Sequence, residues 1–490
     1  MMPFLDNLQL WADERPDDAA VVVGGKRLTW ADLRAAATLR LAGTNATTIL
    51  TEPNSLEFVV AYTAAVSGER RCAVLDPLWP QSMIDEVAER IAGTPDAPAP
   101  HKTPAPHETP VPHKNSAPHE TPAPGHELFD GDPESTFLIG LTSGTTAVPK
   151  AFTRSRRSWQ ASFDASIEFF GLTQADKTLA AGPLSASLNL YALSECLYAG
   201  AAFHTLETFD VGDAHAAISH DGVTRLVLAP TMLRLLAERG LVGGVDASGL
   251  TSIICAGSKL DARTLEAARR WAPKAAIFEY YGASELSFVS GTRLAAGEPL
   301  DAGGTGIGEP FPGVELKILD DTGTEVPEGS HGNISVRSGM VSNGYLWGDD
   351  GQALRCFDGW YTVGDQGYVD SGVLHILGRR SDMIITAGKN VYPHEVELAL
   401  SSIPGISAAV AAGMVDEVRG QKVVAGILPA YGSVSATQVR TGLEGLLARD
   451  KRPQQYFTLS ELPTTDRGKV SRRVLLDWIE SNDPRAKLLG

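Results

Sequence analysis

A loop rich in hydroxyl groups, residues 141–150 (LTSGTTAVPK), carries the side chains best suited to chemistry in this sequence. It follows the apolar run 136–141, whose length and composition predict a buried strand. Hydroxyl and backbone N–H donors, a glycine that permits close approach, and a terminal lysine together suit a polyanion such as a triphosphate. The spacing is not that of a Walker loop. Because ordinary loops share this composition, the loop alone leaves both interpretations open.

Three further apolar runs end in small or polar residues: 225–229, 252–255 and 276–280. Helical patterns lie between them, such as 261–271, for which Asp261 is the expected N-cap. Alternating strands and helices form largely parallel, doubly wound sheets whose ligands lie beyond the carboxyl ends of the strands. We therefore expect these strand ends and the hydroxyl-rich loop to line one crevice.

Four residues after such turns have a chemical role available to them. Glu285 offers the carboxylate oxygen that Mg²⁺ prefers, although a capped turn explains it equally well. Tyr281 can lie flat against a base, and Asp365 is an acceptor suited to a ribose diol. Lys469 lies on a glycine-containing loop near the end of the chain, where most lysines are solvated and without function.

Size and composition limit the classes of protein to consider. At 490 residues the chain is too long for one core, so we expect at least two domains. The net charge of −17 disfavours nucleic acid or an anionic membrane as the main partner. No secretory signal or membrane-length apolar stretch is evident, which predicts a soluble, cytoplasmic protein. Scattered cysteines favour reduced thiols there: Cys72, Cys196, Cys255 and Cys356.

A change of composition marks an insert at 97–127, where a six-residue motif containing proline and histidine recurs. It has almost nothing apolar to bury, which predicts an extended or disordered surface loop. Its regularly spaced histidines leave metal binding open, although repeat expansion explains them more simply. Punctuation by glycine and proline over 290–380 predicts antiparallel β structure. We expect a large domain over 1–380 and a small α+β domain over 381–490, with helices over 393–401 and 435–447.

The order and spacing of five segments resemble the adenylate-forming superfamily of acyl-CoA synthetases, adenylation domains of peptide synthetases, and luciferases. The segments are 142–150, 281–285, 361–365, 378–397 and 465–469. The resemblance covers essentially the whole chain apart from the insert, and it is greatest to acyl-CoA synthetases. It implies an α/β fold: a large N-terminal domain of doubly wound mixed sheets, a β-barrel-like subdomain, and a small mobile α+β C-terminal domain.

The resemblance also implies roles for individual residues. Lys469, Glu285 and Ser284 match catalytic positions, and Glu285 also matches the contact to Mg²⁺. Gly388 and Lys389 match the CoA-binding region, and Ser381 or Asp382 matches the hinge. A larger set matches positions that bind ATP or AMP: Thr142, Ser143, Gly144, Thr145, Thr146, Lys150, Gly257, Ser258, Tyr280, Tyr281, Gly282, Asp365 and Arg379. We expect Trp159, Phe163, Asn189 and Tyr191 to shape the substrate pocket.

The implied reaction has two steps and needs ATP, Mg²⁺ and a thiol. A carboxylate attacks the α-phosphorus with loss of pyrophosphate, and Lys469 stabilises the charge that develops there. The small domain then rotates, and a thiol attacks the acyl-adenylate. The segment 183–193 lacks an obvious aspartate to hold an α-amino group, which favours a plain carboxylic acid, small or medium and apolar.

Two departures from the superfamily pattern leave alternatives open. Ala147 and Ala151 replace glycines, and Ala147 does not easily take positive φ, so the loop is expected to be stiffer. CoA is the first choice of thiol acceptor, and the phosphopantetheine of a separate carrier protein is the alternative. The third interpretation is a homologue that binds nucleotide or acyl ligand without turnover. The retention of five residues argues against it: Lys150, Glu285, Asp365, Arg379 and Lys469.

Overall fold

The computed structural model describes residues 4–94, 127–142, 148–295, 298, 306–430, 432–464 and 470–489. Almost all of the insert at 97–127 lies outside this range, so its prediction stays a prediction. None of the helices in the described ranges has the length and hydropathy needed to cross a membrane.

Regular secondary structure is distributed along all the longer described ranges. The helices are α1 (Leu5–Glu14), α2 (Trp30–Leu41), α3 (Leu56–Ala65), α4 (Gln81–Ala92), α5 (Arg156–Phe170), α6 (Ser187–Ala199), α7 (Val211–His220), α8 (Pro230–Gly243), α9 (Ala262–Trp271), α10 (Pro393–Ser401), α11 (Ala436–Gly442) and α12 (Arg472–Glu480). The strands are β1 (Ala19–Val23), β2 (Lys26–Thr29), β3 (Thr47–Leu50), β4 (Arg71–Val74), β5 (Thr136–Thr142), β6 (Lys150–Ser155), β7 (Lys177–Leu179), β8 (Ala202–Thr205), β9 (Arg225–Leu228), β10 (Ser252–Cys255), β11 (Ala276–Ala283), β12 (Ser287–Leu294), β13 (Glu309–Pro310), β14 (Val314–Leu319), β15 (Gly332–Ser338), β16 (Gly344–Trp347), β17 (Arg355–Phe357), β18 (Trp360–Thr362), β19 (Asp365–Asp370), β20 (Val373–Arg379), β21 (Ile384–Thr386), β22 (Lys389–Val391), β23 (Ile406–Asp416), β24 (Gly420–Pro429), β25 (Gln455–Leu459) and β26 (Ala486–Leu488).

The chain divides into two compact units. The first comprises Met1–Ala302, Ile307–Lys317 and Ser335–Val363, and the second comprises Gly303–Gly306, Ile318–Ile334 and Gly364–Gly490. Residues 364–380 thus group with the C-terminal part of the chain. The predicted domain boundary at 380/381 stays a prediction.

Two sheets form the framework of the first unit. One has nine strands in the order β13-β12-β11-β10-β9-β7-β8-β1-β2, and the six strands from β11 to β1 run parallel. The other has five strands in the order β16-β6-β5-β4-β3, with β5 antiparallel to β6. The alternating pattern correctly predicted parallel strands. It did not show that the strand before the hydroxyl-rich loop belongs to a second sheet, because pairing depends on contacts distant in sequence.

Local sequence signals explain where helices α5 and α9 begin and where α5 ends. Helix α5 starts after Ser155, whose side chain accepts a hydrogen bond from the N–H of Ser158, and it ends at Gly171 with φ of 69°. A left-handed residue after the last turn is a common helix terminator. Helix α9 is capped by Asp261, which accepts from the N–H of Thr264 at 2.9 Å, as predicted. These caps fix which side chains of each helix face the core.

The second unit contains a sheet in the order β22-β21-β24-β25-β26, with β23 paired to β24. The predicted helix over 393–401 is confirmed as α10. The helix expected over 435–447 is shorter than predicted, because α11 ends at Gly442. Gly445 has φ of 86°, which is incompatible with a continuing α-helix. Leu443 and Leu447 are nevertheless buried, so their apolar spacing mimicked a longer helix.

Candidate active site

Strands β5 and β6 carry the two ends of the hydroxyl-rich loop. Thr142 at the end of β5 pairs with Lys150 at the start of β6, so the loop between them closes a hairpin. The carbonyl of Pro149 accepts a hydrogen bond of 2.8 Å from Nε1 of Trp347. The central loop residues proposed to hold phosphate lie outside the described residues: Ser143, Gly144, Thr145 and Thr146.

Glu285 lies at the turn between β11 and β12, and two contacts fix it. The hydroxyl of Tyr345 donates a hydrogen bond to Oε1 of Glu285, and the N–H of Ser342 donates to the Glu285 carbonyl at 2.7 Å. Burial and the adjacent Glu285 raise the pKa of Tyr345 well above its usual range, and the nearby Thr142 side chain offsets part of this. Tyr345 lies on β16, which pairs with β6 of the β5–β6 hairpin, so its bond to Glu285 places the predicted magnesium ligand beside that hairpin.

The turn after β10 contains Gly257 and Ser258, two of the residues predicted to bind ATP or AMP. Gly257 has φ of 90°, a conformation that favours glycine. Glu279 on β11 holds the turn, because it accepts from Nζ of Lys259 at 2.7 Å and from the N–H of Leu260 at 2.6 Å. Sequence reasoning missed this support, whose only signal is one acidic residue within an apolar strand.

A cavity of about 230 Å³ opens between the two sheets of the first unit. Its wall includes Gly257, Tyr280, Gly282 and Ser284 from the predicted nucleotide site. Apolar and aromatic residues form most of the remainder: Val74, Leu138, Ile139, Leu141, Phe152, Trp159, Leu188, Leu190, Tyr191 and Phe288. The residues after β9, Pro230 and Thr231, are not part of the wall, although they were expected to line the same crevice. The residues predicted to bind nucleotide therefore lie at one side of a largely apolar cavity.

Two of the four predicted pocket residues line this cavity and two do not. Trp159 and Tyr191 are in the wall, with ring centroids 5.3 Å apart. Phe163 is fully buried behind them, 5.1 Å from the Tyr191 ring. Asn189 is turned away and donates to the carbonyl of Pro183 at 2.9 Å. The sequence did not show which of these four residues reach the cavity.

The Tyr191 hydroxyl points into a buried polar network. It donates to Ser162 at 3.1 Å and lies 3.1 Å from the hydroxyl of Ser166, which in turn donates to Glu195 at 2.6 Å. Glu195 forms an almost fully buried ion pair of 2.8 Å with Arg225. Burial raises the pKa of Tyr191 well above its usual range, so the phenol stays neutral. The network orients the ring against the cavity.

Among the described residues that line the cavity, Arg154 on β6 is the one cation. Only 2% of it is exposed, and burial lowers its pKa to about 10. Its guanidinium donates to the carbonyls of Met340 and Ser284, the latter at 2.6 Å, and to the Ser287 hydroxyl at 3.1 Å. Sequence reasoning missed both Arg154 and Tyr345, because nothing local distinguishes them from other polar residues of β-strands.

Tyr281 lies on β11 in the first unit, and the second unit contains the other described candidates. Asp365 and Arg379 are partners across β19 and β20, with Nε of Arg379 3.6 Å from Oδ1 of Asp365. Ser381 and Asp382 lie in the short 3₁₀ helix Arg380–Asp382, and Asp382 accepts from Arg472 at 3.1 Å. The pair proposed to bind ribose is thus assembled within this unit.

The CoA-binding candidates and the lysine predicted to be catalytic also belong to the C-terminal part of the chain. Gly388, with φ of 74°, and Lys389 lie at the tight connection between β21 and β22. Lys469 lies outside the described residues, and Thr464 and Val470, which flank its loop, form an antiparallel bridge.

Comparison with protein families identifies the family of this chain. Residues 8–346 match the AMP-binding enzyme family, and residues 395–469 match the AMP-binding enzyme C-terminal domain. The chain belongs to the AMP-binding enzyme family. The predicted membership of the adenylate-forming superfamily is therefore confirmed.

Two curated relatives in this family are similar over about 70% of the chain. An uncharacterized acyl–CoA ligase of Bacillus subtilis (strain 168) is 34% identical over 352 residues, which cover 72% of this chain and 70% of the relative. Indoleacetate–CoA ligase of Aromatoleum aromaticum is 34% identical over 346 residues, which cover 69% of this chain and 66% of the relative.

A solved structure of the AMP-binding family shares the fold. The o-succinylbenzoate CoA synthetase of Bacillus subtilis, in complex with its acyl-adenylate intermediate, superimposes with a TM-score of 0.79 at 24% identity, covering 96% of this chain and 97% of that one. The same synthetase in complex with ATP and magnesium ion gives a TM-score of 0.77 at 24% identity, covering 95% and 98%. The predicted fold class, α/β with mixed sheets and a distinct C-terminal domain, is confirmed; the barrel-like subdomain stays a prediction.

Proposed function

We propose that this chain is an AMP-forming acid–CoA ligase that activates a carboxylic acid with ATP and transfers the acyl group to CoA. The observation that carries the proposal is the hydrogen bond from Tyr345 on β16 to Glu285, next to the β5–β6 hairpin and beside an apolar cavity. This arrangement puts a hydroxyl-rich loop end and a carboxylate next to a chamber for an acyl group. The named ligase activities of the relatives support the same reaction class.

Glu285 fits a role as ligand of Mg²⁺. Oε1 of Glu285 accepts from Tyr345, and the buried Arg154 interacts with this carboxylate through its charge without forming an ion pair with it. Carboxylate oxygen is the donor type that this hard cation prefers. When bound there, Mg²⁺ would neutralise charge on phosphate oxygens.

In the first step, an oxygen of the substrate carboxylate attacks the α-phosphorus of ATP. The bond from that phosphorus to the bridging oxygen breaks, and pyrophosphate leaves with the electron pair. Lys150 and the hydroxyls that precede it are proposed to hold the terminal phosphates, and Lys469 to stabilise the charge on the oxygens of the α-phosphate. Cations placed where charge develops stabilise the transition state more than the ground state.

In the second step, the thiol of CoA attacks the acyl carbon, and AMP leaves with the oxygen that came from the acid. We propose that the C-terminal part of the chain moves between the steps, with Ser381 or Asp382 as the hinge, and that Gly388 and Lys389 contact CoA. Asp365 and Arg379 are proposed to bind the ribose.

We further propose that the substrate is a compact apolar acid, aryl or short-chain aliphatic. The cavity of about 230 Å³ is small beside the roughly 300–1,000 Å³ of typical small-molecule sites, and aromatic rings form its walls. Neutral phenols and buried apolar side chains favour an uncharged acyl group. A cytoplasmic location remains part of the proposal.

The test is pyrophosphate release from ATP across a panel of acids, with and without CoA. The panel contains indole-3-acetate, benzoate, phenylacetate and the saturated acids from butyrate to palmitate. We expect release with compact acids, weak in the absence of CoA and strongly increased by it, with an acyl-CoA as product. Acylation of a carrier-protein thiol but not of CoA would favour the carrier-loading alternative. The absence of pyrophosphate release with every acid would contradict the proposal.

A further inference from the structure

Arg154 occupies a position that is costly for a cation. Its side chain is almost fully buried, and the Glu285 carboxylate is near enough to interact with its charge, although the two form no ion pair. Burying a guanidinium costs free energy unless hydrogen bonds replace its lost hydration. Three neutral acceptors do so: the carbonyls of Met340 and Ser284 and the hydroxyl of Ser287. The location of these acceptors indicates what the arginine does.

The acceptors belong to the two segments that hold Glu285. Ser284 and Ser287 are on the β11–β12 turn, directly before Glu285 and directly after Leu286. Met340 lies just before β16, in the segment that also contains the two residues bonded to Glu285. One of these, Ser342, donates to the Glu285 carbonyl at 2.7 Å, and the other is Tyr345. The guanidinium therefore links the same two segments that Glu285 itself links.

The turn needs such support. Ser287 has φ of 62°, in the left-handed region that is unfavourable for a residue with a side chain. Arg154 contacts the turn at both ends, at the carbonyl of Ser284 and at the side chain of Ser287. Without these two bonds the turn can relax to a less strained backbone, and the carboxylate between them changes direction.

We propose that Arg154 is a positioning residue that holds the Glu285 carboxylate in its productive direction by tying the 284–287 turn to the 340–345 segment. The part that Glu285 plays, as ligand of a divalent cation with bound ATP, rests on the proposed function. Because Arg154 also lines the acyl cavity, direct recognition of the acid by its guanidinium is the competing role, and the experiment separates the two.

The chain offers a matched control two residues away. Arg156 is also fully buried, and it likewise donates to two backbone carbonyls, those of Val66 at 3.0 Å and Arg70 at 2.8 Å, and to one serine hydroxyl, that of Ser135 at 2.6 Å. None of these acceptors contacts Glu285. Variants at both positions therefore lose a buried arginine, but only the Arg154 variants lose the hydrogen bonds that support Glu285.

The experiment compares Arg154→Lys and Arg154→Met with Arg156→Lys and Arg156→Met in the full-length protein. Binding of Mn²⁺ in the presence of ATP is measured by electron paramagnetic resonance, and it needs no turnover. The half-saturating Mg²⁺ concentration and the KM for the acid are measured by pyrophosphate release. For Arg154→Met we expect Mn²⁺ affinity to fall about 10-fold and the half-saturating Mg²⁺ concentration to rise about 10-fold, with the KM for the acid changed less than about 2-fold. Arg154→Lys should recover part of the loss, and the Arg156 variants should bind Mn²⁺ like the wild type.

Two results would overturn the inference. Equal Mn²⁺ affinity in the Arg154 and Arg156 variants would show that the arginine supports the fold only. A raised KM for the acid with unchanged Mn²⁺ affinity would assign Arg154 to acyl recognition. If Arg154→Met does not fold, Ser287→Ala removes one acceptor while the cation stays, and it should weaken Mn²⁺ binding in the same direction. A wild type that binds Mn²⁺ with ATP but activates no acid would contradict the proposed function and leave this test intact.

Discussion

The hydroxyl of Tyr345 donates a hydrogen bond to Oε1 of Glu285, across 60 residues of sequence. This bond fixes one carboxylate oxygen. Tyr345 lies on β16, which pairs with β6, and β6 forms a hairpin with β5. Tyr345 thus connects the proposed magnesium ligand to the sheet that carries the hydroxyl-rich loop.

Replacement of Tyr345 by phenylalanine removes only this connection. We expect Tyr345→Phe to weaken Mg²⁺-dependent ATP binding about 10-fold, because residues that orient metal ligands typically contribute that much. Calorimetric titration with Mg·ATP measures the effect. Tyr198→Phe is the control, since its hydroxyl donates to Asp164 on the surface at 2.7 Å. Similar affinities for the two variants would show that Tyr345 does not position Glu285.

Asp130 makes stability depend on pH. Only 3% of it is exposed, and burial raises its pKa to about 7, although Oδ2 accepts from the N–H of Asp6 at 3.0 Å. The folded state therefore binds this proton more tightly than the unfolded state. Between about pH 4 and pH 7 the unfolded chain has lost the proton and the folded chain has kept it, so the stability that this group confers falls as pH rises.

Asp130→Asn removes that dependence while keeping an acceptor for the N–H of Asp6. The free energy of unfolding of the variant relative to wild type should rise by about 1.4 kcal/mol for each pH unit across this window. Urea unfolding at pH 5, 6, 7 and 8 measures it, with Asp17→Asn at an exposed site as the control. A difference from wild type that is constant with pH would contradict the assignment.

Trp159 limits the depth of the acyl cavity. Its indole lies in the wall and packs against Phe137 at 5.1 Å and Tyr191 at 5.3 Å between ring centroids. Trp159→Leu should enlarge the chamber and raise kcat/KM for a longer acid relative to a compact one by about 10-fold, the scale that one methylene contributes in such pockets. Trp271→Leu is the control, because Trp271 is buried in a separate core cluster. An unchanged preference in Trp159→Leu would place the acid elsewhere.

Lys469 is predicted to act in one step only. Lys469→Ala should abolish acid-dependent exchange of pyrophosphate into ATP and leave thioester formation from added acyl-adenylate largely intact, because the lysine is proposed to stabilise charge on the α-phosphate alone. Both half-reactions are measured separately. Lys487→Ala, at an exposed position on β26, is the control. Equal loss of both half-reactions would contradict the two-step division of roles.

The sequence predicted those parts of the fold and site that depend on local pattern. Asp261 caps α9, and Trp159 and Tyr191, two of the four residues expected to shape the substrate pocket, lie in the cavity wall. The end of α11 was missed, because buried leucines continue the apolar spacing beyond Gly442.

Residues whose roles depend on distant partners could not be predicted. Arg154 gains its role from Ser284 and Met340, 130 and 186 residues away, and no local signal distinguishes it from Arg156. Phe163 shares a helical face with Trp159 but lies one turn too deep to reach the cavity. Such distinctions depend on how helices and sheets pack, which periodicity does not encode.

The proposed acyl-adenylate is tested most directly by following the oxygen of the acid. With an acid that supports turnover, labelled with ¹⁸O in its carboxylate, the products are separated and analysed by mass spectrometry. Attack of the carboxylate on the α-phosphorus predicts one ¹⁸O in each AMP formed and none in pyrophosphate. Label in inorganic phosphate, or AMP without label, would contradict the adenylate-forming reaction proposed for this chain.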